Sequence, residues 1–403
     1  MLKRIKIKQL RLGMYCSSWV NTPLFVKKSF LVNDRDELDQ IINSGIKEVF
    51  INTNKGLDVL SEPVSTPIAK KTVGLAALQN SIDPITLLTI NEELNQASKI
   101  VNRSKEAITS MFSEARMGKA VNVENAISLV AEITSSVMRN PSALIGLARL
   151  KTKDDYTYMH SVAVCALMVS LARQLGLSAE QTRESGLAGL LHDIGKMAIP
   201  LDILNNPGKL TDKEFAVVKE HPVAGYRMLL EGGAVGEIAL DVCLHHHEKM
   251  DGTGYPDQLS GDNISVFARM GMLCDVYDAI TSNRPYKQGW CPSESLRKMA
   301  EWEGHFDKSI FQAFVKCIGI YPVGTLVRLK SGRLGVVVEQ QIGKSLLLPK
   351  VRVFFSSKSN SYIMPQLLDL AEPRAGDKIV AREDAGKWQL KDINKYWLGG
   401  EAG

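Results

Sequence analysis

The pattern of apolar and polar positions divides the chain into a short mixed head, a long helical middle and a β-type tail. Lys3 to Leu12 alternates like a charged strand, Leu24 to Val32 is a second apolar segment, and Glu48-Val49-Phe50-Ile51 is another strand-like run. Between them Asp34 and Asp36 can cap a short helix carrying Leu38, Ile41 and Ile42, which Gly45 ends. Ser61 to Lys71 holds two prolines and no period, as a linker does. From about Leu87 to Leu150 apolar residues recur at helical spacing, as at Ile100, Ile108, Met111 and Phe112, then at Ile127, Val130, Ile133 and Val137. Residues 155–315 read as helix after helix. One helix, Tyr158 to Gly176, carries His160; one opened by the capping box Thr211-Asp212-Lys213-Glu214 ends at His221-Pro222; a third begins near Phe267. Past Tyr321 come short β-type runs: Thr325 to Leu329, a Lys330-Ser331-Gly332-Arg333 turn, Leu334 to Val338, Val351 to Phe355 and Lys378 to Val380. The expected fold class is mainly α, an all-helical bundle with a small α/β amino-terminal module and a short β-rich carboxy-terminal extension.

Against this pattern a few polar residues fall on faces that should be buried. His192-Asp193 leaves the apolar run Leu187 to Leu191, and Asp275 and Asp278 interrupt the helix that begins near Phe267. The phrase His245-His246-His247-Glu248-Lys249-Met250-Asp251-Gly252-Thr253-Gly254-Tyr255-Pro256 places three of the chain's seven histidines side by side. Packing alone does not satisfy adjacent imidazoles, so these residues point to a metal site inside a helical bundle. Imidazole and carboxylate without a CxxC thiolate pair suit Fe, Mn or Zn. Two such metals about 3.5–4 Å apart would be bridged by a carboxylate and a hydroxide poised for in-line attack on phosphorus. Asp193 is the natural bridging carboxylate. Lys196 and the cluster Arg284-Pro285-Tyr286-Lys287 can neutralise the phosphate. Gly252 and Gly254 allow backbone conformations closed to other residues and Pro256 stiffens the exit, which makes the loop a wall beside a substrate pocket; the plain alternative is a turn.

Composition narrows the class. The 403 residues leave room for two or three domains, and 45% hydrophobic with 23% charged residues is ordinary for a soluble globular chain. A net charge of +5, spread over the whole length, suits a small anionic ligand and argues against a nucleic-acid polymer. Six cysteines without a CxxC pair signal neither a disulfide framework nor a zinc knuckle, as in a cytosolic protein with reduced thiols. The basic start, Met1 to Lys8, has no apolar run after it, and no stretch of about 18 apolar residues occurs, so no membrane association and a cytoplasmic location are expected.

Taken in order, His192-Asp193-Ile194-Gly195-Lys196, Pro207 to Thr211, His221-Pro222, His246-His247-Glu248, Asp251 to Pro256 and Asp275-Val276-Tyr277-Asp278-Ala279 through Lys287 resemble an HD-GYP domain, over roughly residues 150–315. The segment from Ile5 to Tyr15 is similar to the small domain of unknown function that often precedes such domains in bacteria. The resemblance implies an HD-type metal-binding bundle and a phosphodiesterase that opens cyclic di-GMP to linear pGpG through a metal-bridging hydroxide. Hydrolysis of 3′,3′-cyclic GMP-AMP, hydrolysis of another nucleotide and a non-catalytic dinucleotide receptor are the alternatives. It implies His160, His192, Asp193, His221, His246, His247 and Asp275 as metal ligands. Lys196, Arg284 and Lys287 become phosphate contacts, Tyr255 a wall of the substrate pocket, and Asp193 and Lys196 the catalytic pair. Two divalent ions are implied, Fe or Mn foremost, with Zn, Ni, Co or Mg as alternatives. Some family members hold a third ion with a glutamate four residues before the first histidine ligand; Tyr156 stands there, which favours two ions and a reaction that stops at pGpG. His245 is read as solvent-facing or supporting, and His305 as an anchor for the last helix. The expected domains are residues 1–65, a regulatory module; 66–149, linker and bracing or dimerisation helices; 150–318, the catalytic domain; and 319–403, the β-rich extension. A homodimer, and a protein partner at the GYP loop or the amino-terminal module, complete the expected partners.

Overall fold

The structure, a computed structural model, describes residues 2–7, 10, 14–19, 30–32, 48–52, 90–119, 121, 123–150, 156–206, 208–233, 235–282, 289–341 and 344–398. The chain divides into two compact units, Met1–Ile82 and Asp83–Gly403. In the first, strands β1 (Leu2–Lys6), β2 (Tyr15–Trp19), β3 (Phe30–Leu31) and β4 (Glu48–Asn52) form an antiparallel sheet in the order β1-β4-β2-β3. Ile5, Met14, Cys16, Val49 and Ile51 make its core. The first strand is shorter than its alternation suggests, because the chain turns at Ile7, whose carbonyl accepts from Leu10 N–H at 3.1 Å. Strand β2 was not anticipated. The helix expected after Asp34 and the linker from Ser61 to Lys71 lie outside the described residues.

The second unit opens with α1 (Ile90–Arg116), α2 (Glu124–Arg139) and α3 (Pro141–Arg149), then α4 (Tyr156–Gln174), α5 (Ala179–Leu191) and a 3-10 turn, Ile194–Ala198. There follow α6 (Leu201–Leu204), α7 (Asp212–Val218), α8 (His221–Gly232), α9 (Glu237–His245), α10 (Val266–Thr281), α11 (Pro292–Ala300) and α12 (Lys308–Ile318). Local chemistry sets many of these ends. Capping boxes at Ser178 and Thr211 open α5 and α7, and the side chains of Ser265 and Asp307 cap α10 and α12. The segment expected to end at His221-Pro222 instead stops at Val218, and His221 is the first residue of α8. Proline has no N–H to lose in a first helical turn, so Pro222 starts a helix there and does not close the preceding one. Helix α4 is buried on nearly every side between Met159 and Ala172, packed by α3, α5, α10 and α12, as a helix apolar all round must be.

The tail folds into a five-stranded antiparallel sheet, with β5 (Leu326–Leu329), β6 (Arg333–Glu339), β7 (Lys350–Ser356), β8 (Ser361–Asp369) and β9 (Ile379–Arg382) in the order β8-β7-β6-β5-β9. Strand β8 escaped the sequence pattern because it carries Pro365 and many exposed residues, both compatible with an edge strand. One face buries Val327, Leu329, Val337, Val351 and Val353. The other, with Leu334, Val336 and Phe354, joins the core of α1 to α3 through Tyr396 and Trp397. Trp397 lies against Gly146 of α3, where an added Cβ would come within 2.8 Å of its ring. Asn140 donates to Glu339 at 3.0 Å, and Arg149 to the Val323 carbonyl at 2.8 Å. The sheet therefore shares a core with α1 to α3.

Candidate metal centre and the loop beside it

Seven side chains from five helices and the breaks between them converge at the centre of the bundle. His160 lies in the second turn of α4, His192 caps α5, Asp193 follows at the break, His221 opens α8, His246 and His247 follow α9, and Asp275 lies within α10. Their donor atoms form two groups, one of Asp193, His221, His246 and His247 and one of His160, His192 and Asp275, with the atoms of each within 4.8 Å of one another. Asp193 joins the two. Its Oδ1 is 3.3 Å from His221 Nε2 and 3.8 Å from His246 Nε2; its Oδ2 is 3.3 Å from His192 Nε2 and 3.5 Å from His160 Nε2. Asp275 Oδ1 lies 3.0 Å from His160 Nε2, and its Oδ2 3.9 Å from His247 Nδ1.

The backbone decides which nitrogen of each ring faces inward. His192 Nδ1 donates to the Gly189 carbonyl at 2.8 Å, His221 Nδ1 to Val218 at 2.7 Å, and His246 Nδ1 to Val242 at 3.0 Å. A carbonyl can only accept, so in neutral rings Nε2 carries a bare lone pair. His221 Nε2 and His246 Nε2 nonetheless stand 3.3 Å apart, and His192 Nε2 and Asp193 Oδ1 are buried without a hydrogen-bond partner. Lone pairs turned toward one another beside a carboxylate fit a divalent cation. No sulfur enters either group, although Cys243 and Cys274 are buried nearby in α9 and α10. Beyond the ring of donors, Asp278 Oδ2 accepts from His160 Nδ1 at 2.6 Å. The sequence reading saw Asp278 only as a polar interruption, because its partner lies 118 residues away.

Electrostatics keep most of these groups ready to donate. Burial opposes the charge of Asp193, but Lys196, His192 and His221 outweigh it and hold its pKa well below the usual carboxylate range. Asp275 is lowered against the same burial by the His160 hydrogen bond and the charge of neighbouring imidazoles. Burial, joined by His247, His192 and His221, pushes His246 far down, and burial first of all takes His247 to about 3. His160 goes the other way: burial disfavours its cation, but Asp275 and Asp278 prevail and raise it.

The turn after Asp193 and the loop after His247 wall the centre. Gly195 packs where a Cβ would meet the His221 carbonyl at 1.9 Å, so only glycine lets the 3-10 turn lie on the start of α8. Lys196, on that turn, pairs its ammonium with Asp193 Oδ2 and is a quarter exposed. An antiparallel bridge between Asp251 and Ser260 closes the next loop. Gly252 takes a left-handed conformation, φ 78°, as read from sequence. Gly254 does not; it is needed for space, since a Cβ there would lie 2.6 Å from the His247 carbonyl. Tyr255 stacks on His247, ring centres 4.7 Å apart, and the Tyr255–Pro256 bond is cis. Glu248, fully buried, clamps the exit of this loop, its two oxygens accepting from Asp257 N–H at 2.7 Å and Leu259 N–H at 3.0 Å. His245 stays outside both donor groups and joins Asp241 at 2.8 Å to Asp257 at 3.1 Å. His305, also outside them, packs its ring against Trp302 and Phe306. Arg284 and Lys287 lie outside the described residues, and so does the side chain of Tyr156, which opens α4.

A family model described as an HD domain matches residues 134–310, and one described as a domain of unknown function, DUF3391, matches residues 2–126. A cyclic di-GMP phosphodiesterase of Pseudomonas aeruginosa is 52% identical over 403 residues, which cover 99% of this chain and 96% of the relative. The chain belongs to the HD-GYP family of cyclic di-GMP phosphodiesterases. A cyclic di-GMP phosphodiesterase response regulator of Xanthomonas campestris is 36% identical over 209 residues, 51% of this chain and 54% of the relative. A 3′3′-cGAMP-specific phosphodiesterase of Vibrio cholerae is 34% identical over 167 residues, 41% of this chain and 38% of the relative. HD-GYP proteins are metal-dependent hydrolases, and the two donor groups are where this member could hold its metal. Among the described residues no helix is long and apolar enough to cross a membrane.

Proposed function

We propose that this HD-GYP protein hydrolyses cyclic di-GMP to linear pGpG at a centre of two divalent metal ions, iron or manganese. The observation that carries the proposal is Asp193, which turns one carboxylate oxygen to each donor group amid inward-facing Nε2 atoms. On this reading His221, His246 and His247 would hold one ion, His160, His192 and Asp275 would hold the other, and Asp193 would contribute to both. When bound, the ions supply Lewis acidity, neutralising phosphate charge and bringing the pKa of water toward neutrality. Gly189, Val218 and Val242 keep three ligand rings in register through their carbonyls, and Asp278 does the same for His160. Lys196, already facing Asp193, offers its ammonium to the phosphate as charge builds on it. Tyr255, stacked on His247, forms part of the wall of the substrate pocket on this reading. In the net reaction the bond from phosphorus to the 3′ oxygen breaks, water oxygen adds to phosphorus, and the leaving oxygen takes a proton to become a hydroxyl. On this reading residues 150–318 are the catalytic domain and residues 66–149 its linker and bracing or dimerisation helices, and a nucleotide second messenger as substrate fits a cytoplasmic enzyme.

A second substrate, 3′,3′-cyclic GMP-AMP, is favoured by the similarity to the Vibrio cholerae relative specific for that ring. The test is anaerobic purification with metal analysis, then incubation with each ring and chromatography of the products. About two ions per chain and pGpG from cyclic di-GMP are expected. Preferential cleavage of the mixed ring would change the substrate and keep the mechanism. Tight binding with metals loaded and no turnover would make the protein a receptor.

A further inference from the structure

Arg116, in the last turn of α1, reaches the turn behind the metal centre although 80 residues separate it from Lys196. Its Nη1 donates to the Ile199 carbonyl at 3.0 Å and its Nη2 to the Lys196 carbonyl at 3.4 Å. The Lys196 carbonyl also accepts from Ile199 N–H at 3.1 Å, which closes the 3-10 turn Ile194–Ala198. Such turns are short and their hydrogen bonds are poorly aligned. A planar guanidinium, always charged and with its donors in a fixed fork, is a rigid way to hold both carbonyls at once, adding a second donor at that of Lys196.

Packing supports the same join. Met111, Phe112 and Ala115 of α1 share a core with Ile194 and Met197 of the turn. The far end of α1 is fixed as well: Glu93, fully buried, accepts from Arg139 Nε at 2.6 Å, Arg139 Nη2 at 2.9 Å and Ser136 Oγ at 2.6 Å on α2. Helix α1, 27 residues and so about 40 Å long, is thus anchored at both ends by polar side chains. The anchor at its carboxyl end is the segment that presents Lys196 to Asp193.

We propose that Arg116 is a positioning residue of the hydrolytic site: by holding the Lys196 and Ile199 carbonyls it sets where the Lys196 ammonium stands, and so brings α1 into the catalytic apparatus. The proposal rests on the catalytic reading given to Lys196 above. Arg116 touches neither substrate nor metal ligand on this account, so its removal should act through Lys196 alone.

The test uses full-length, metal-loaded protein. Arg116→Met should lower kcat about 10- to 100-fold, the range expected when a catalytic group is misplaced by roughly 1 Å, with KM and metal content unchanged. Arg116→Lys, which keeps a donor, should recover part of the loss. In a Lys196→Met background, adding Arg116→Met should cost nothing further, because both changes remove the same interaction. Amide exchange at Lys196 and Ile199 should quicken in Arg116→Met while exchange in α4 does not. Parent-like kcat in Arg116→Met, losses that multiply in the double variant, or metal lost in step with activity would each overturn the proposal. Exchange is read without substrate, so an inactive parent protein would count against the catalytic reading while exchange still judged the hold on the turn.

Discussion

The bundle around α4 and the carboxy-terminal sheet are made of similar apolar material and differ in what else they bury. In the sheet, Val327, Leu329, Val337, Val351 and Val353 pack on one another, and the charges stand at the rim in pairs, Arg328 with Glu383, Arg333 with Asp377 and Lys350 with Glu339. In these pairs a largely buried carboxylate meets a cation that keeps contact with solvent, so each buried charge has a partner. Its one orphaned side-chain atom among the described residues is the neutral hydroxyl of Thr325. The bundle buries His160, His192, Asp193, His221, His246, Asp275 and Asp278, in and beside the two donor groups. Two of these atoms, His192 Nε2 and Asp193 Oδ1, have no hydrogen bond. A buried, unpartnered imidazole or carboxylate costs about 1–3 kcal/mol or more, and a bound cation is what offsets it. The contrast teaches that the sheet pairs its buried charges within the protein, whereas the bundle leaves two polar atoms facing the place where a cation would sit.

Four changes test that contrast. Asp193→Ala removes the carboxylate that serves both donor groups and should abolish turnover and strip metal; full activity with full metal content would sink the two-ion centre. Trp397→Ala opens a cavity between the sheet and α3 and should cost about 3–5 kcal/mol in denaturant unfolding, with kcat per loaded molecule unchanged. A selective loss of kcat would mean that the sheet takes part in the chemistry. Asp278→Asn weakens the hold on His160 and should lower metal affinity about 10- to 100-fold in competition with a chelator, leaving the melting temperature of the metal-free protein nearly intact. His245→Gln is the mildest. Burial works against the His245 cation, but Asp241 and Asp257 raise its pKa to about 9. The folded pKa then lies above the unfolded value of about 6.5, so its stabilisation is full below that pH and is lost as pH rises through the folded value. The parent should lose about 2–4 °C of melting temperature over that window, and His245→Gln should flatten the loss. An unchanged slope would show that this link does not secure the loop.

Much of the candidate centre could be read from the chain because five of its seven donor residues, His192, Asp193, His221, His246 and His247, sit where helices begin or end. His192-Asp193 ends an apolar run, and His246-His247 leads into a glycine-containing loop, so ligand chemistry and backbone punctuation coincide in a few adjacent residues. The helices and most tail strands were legible from the same periodicity. Residues that support the donors and the loop and turn beside them were not. Asp278, Glu248 and Arg116 each act on a partner through a carboxylate or guanidinium that local sequence would equally leave in water. His221 was misplaced for a related reason, since the proline after it suits a helix start as well as a stop.

What the sequence by itself determined is the order of motifs, the choice of imidazole and carboxylate over thiolate, the helical middle and the β tail. These depend on residue type and on spacing within a few turns of chain. Only the tertiary structure decided that Asp193 faces both donor groups, that Tyr255 lies on His247 and that Arg116 donates to the carbonyls of the turn after Asp193. The difference is one of range: periodicity and capping act over a few residues, whereas the meeting of Asp193 with His160, His221 and His246, and of Arg116 with Lys196, depends on how elements far apart in the chain pack around one core.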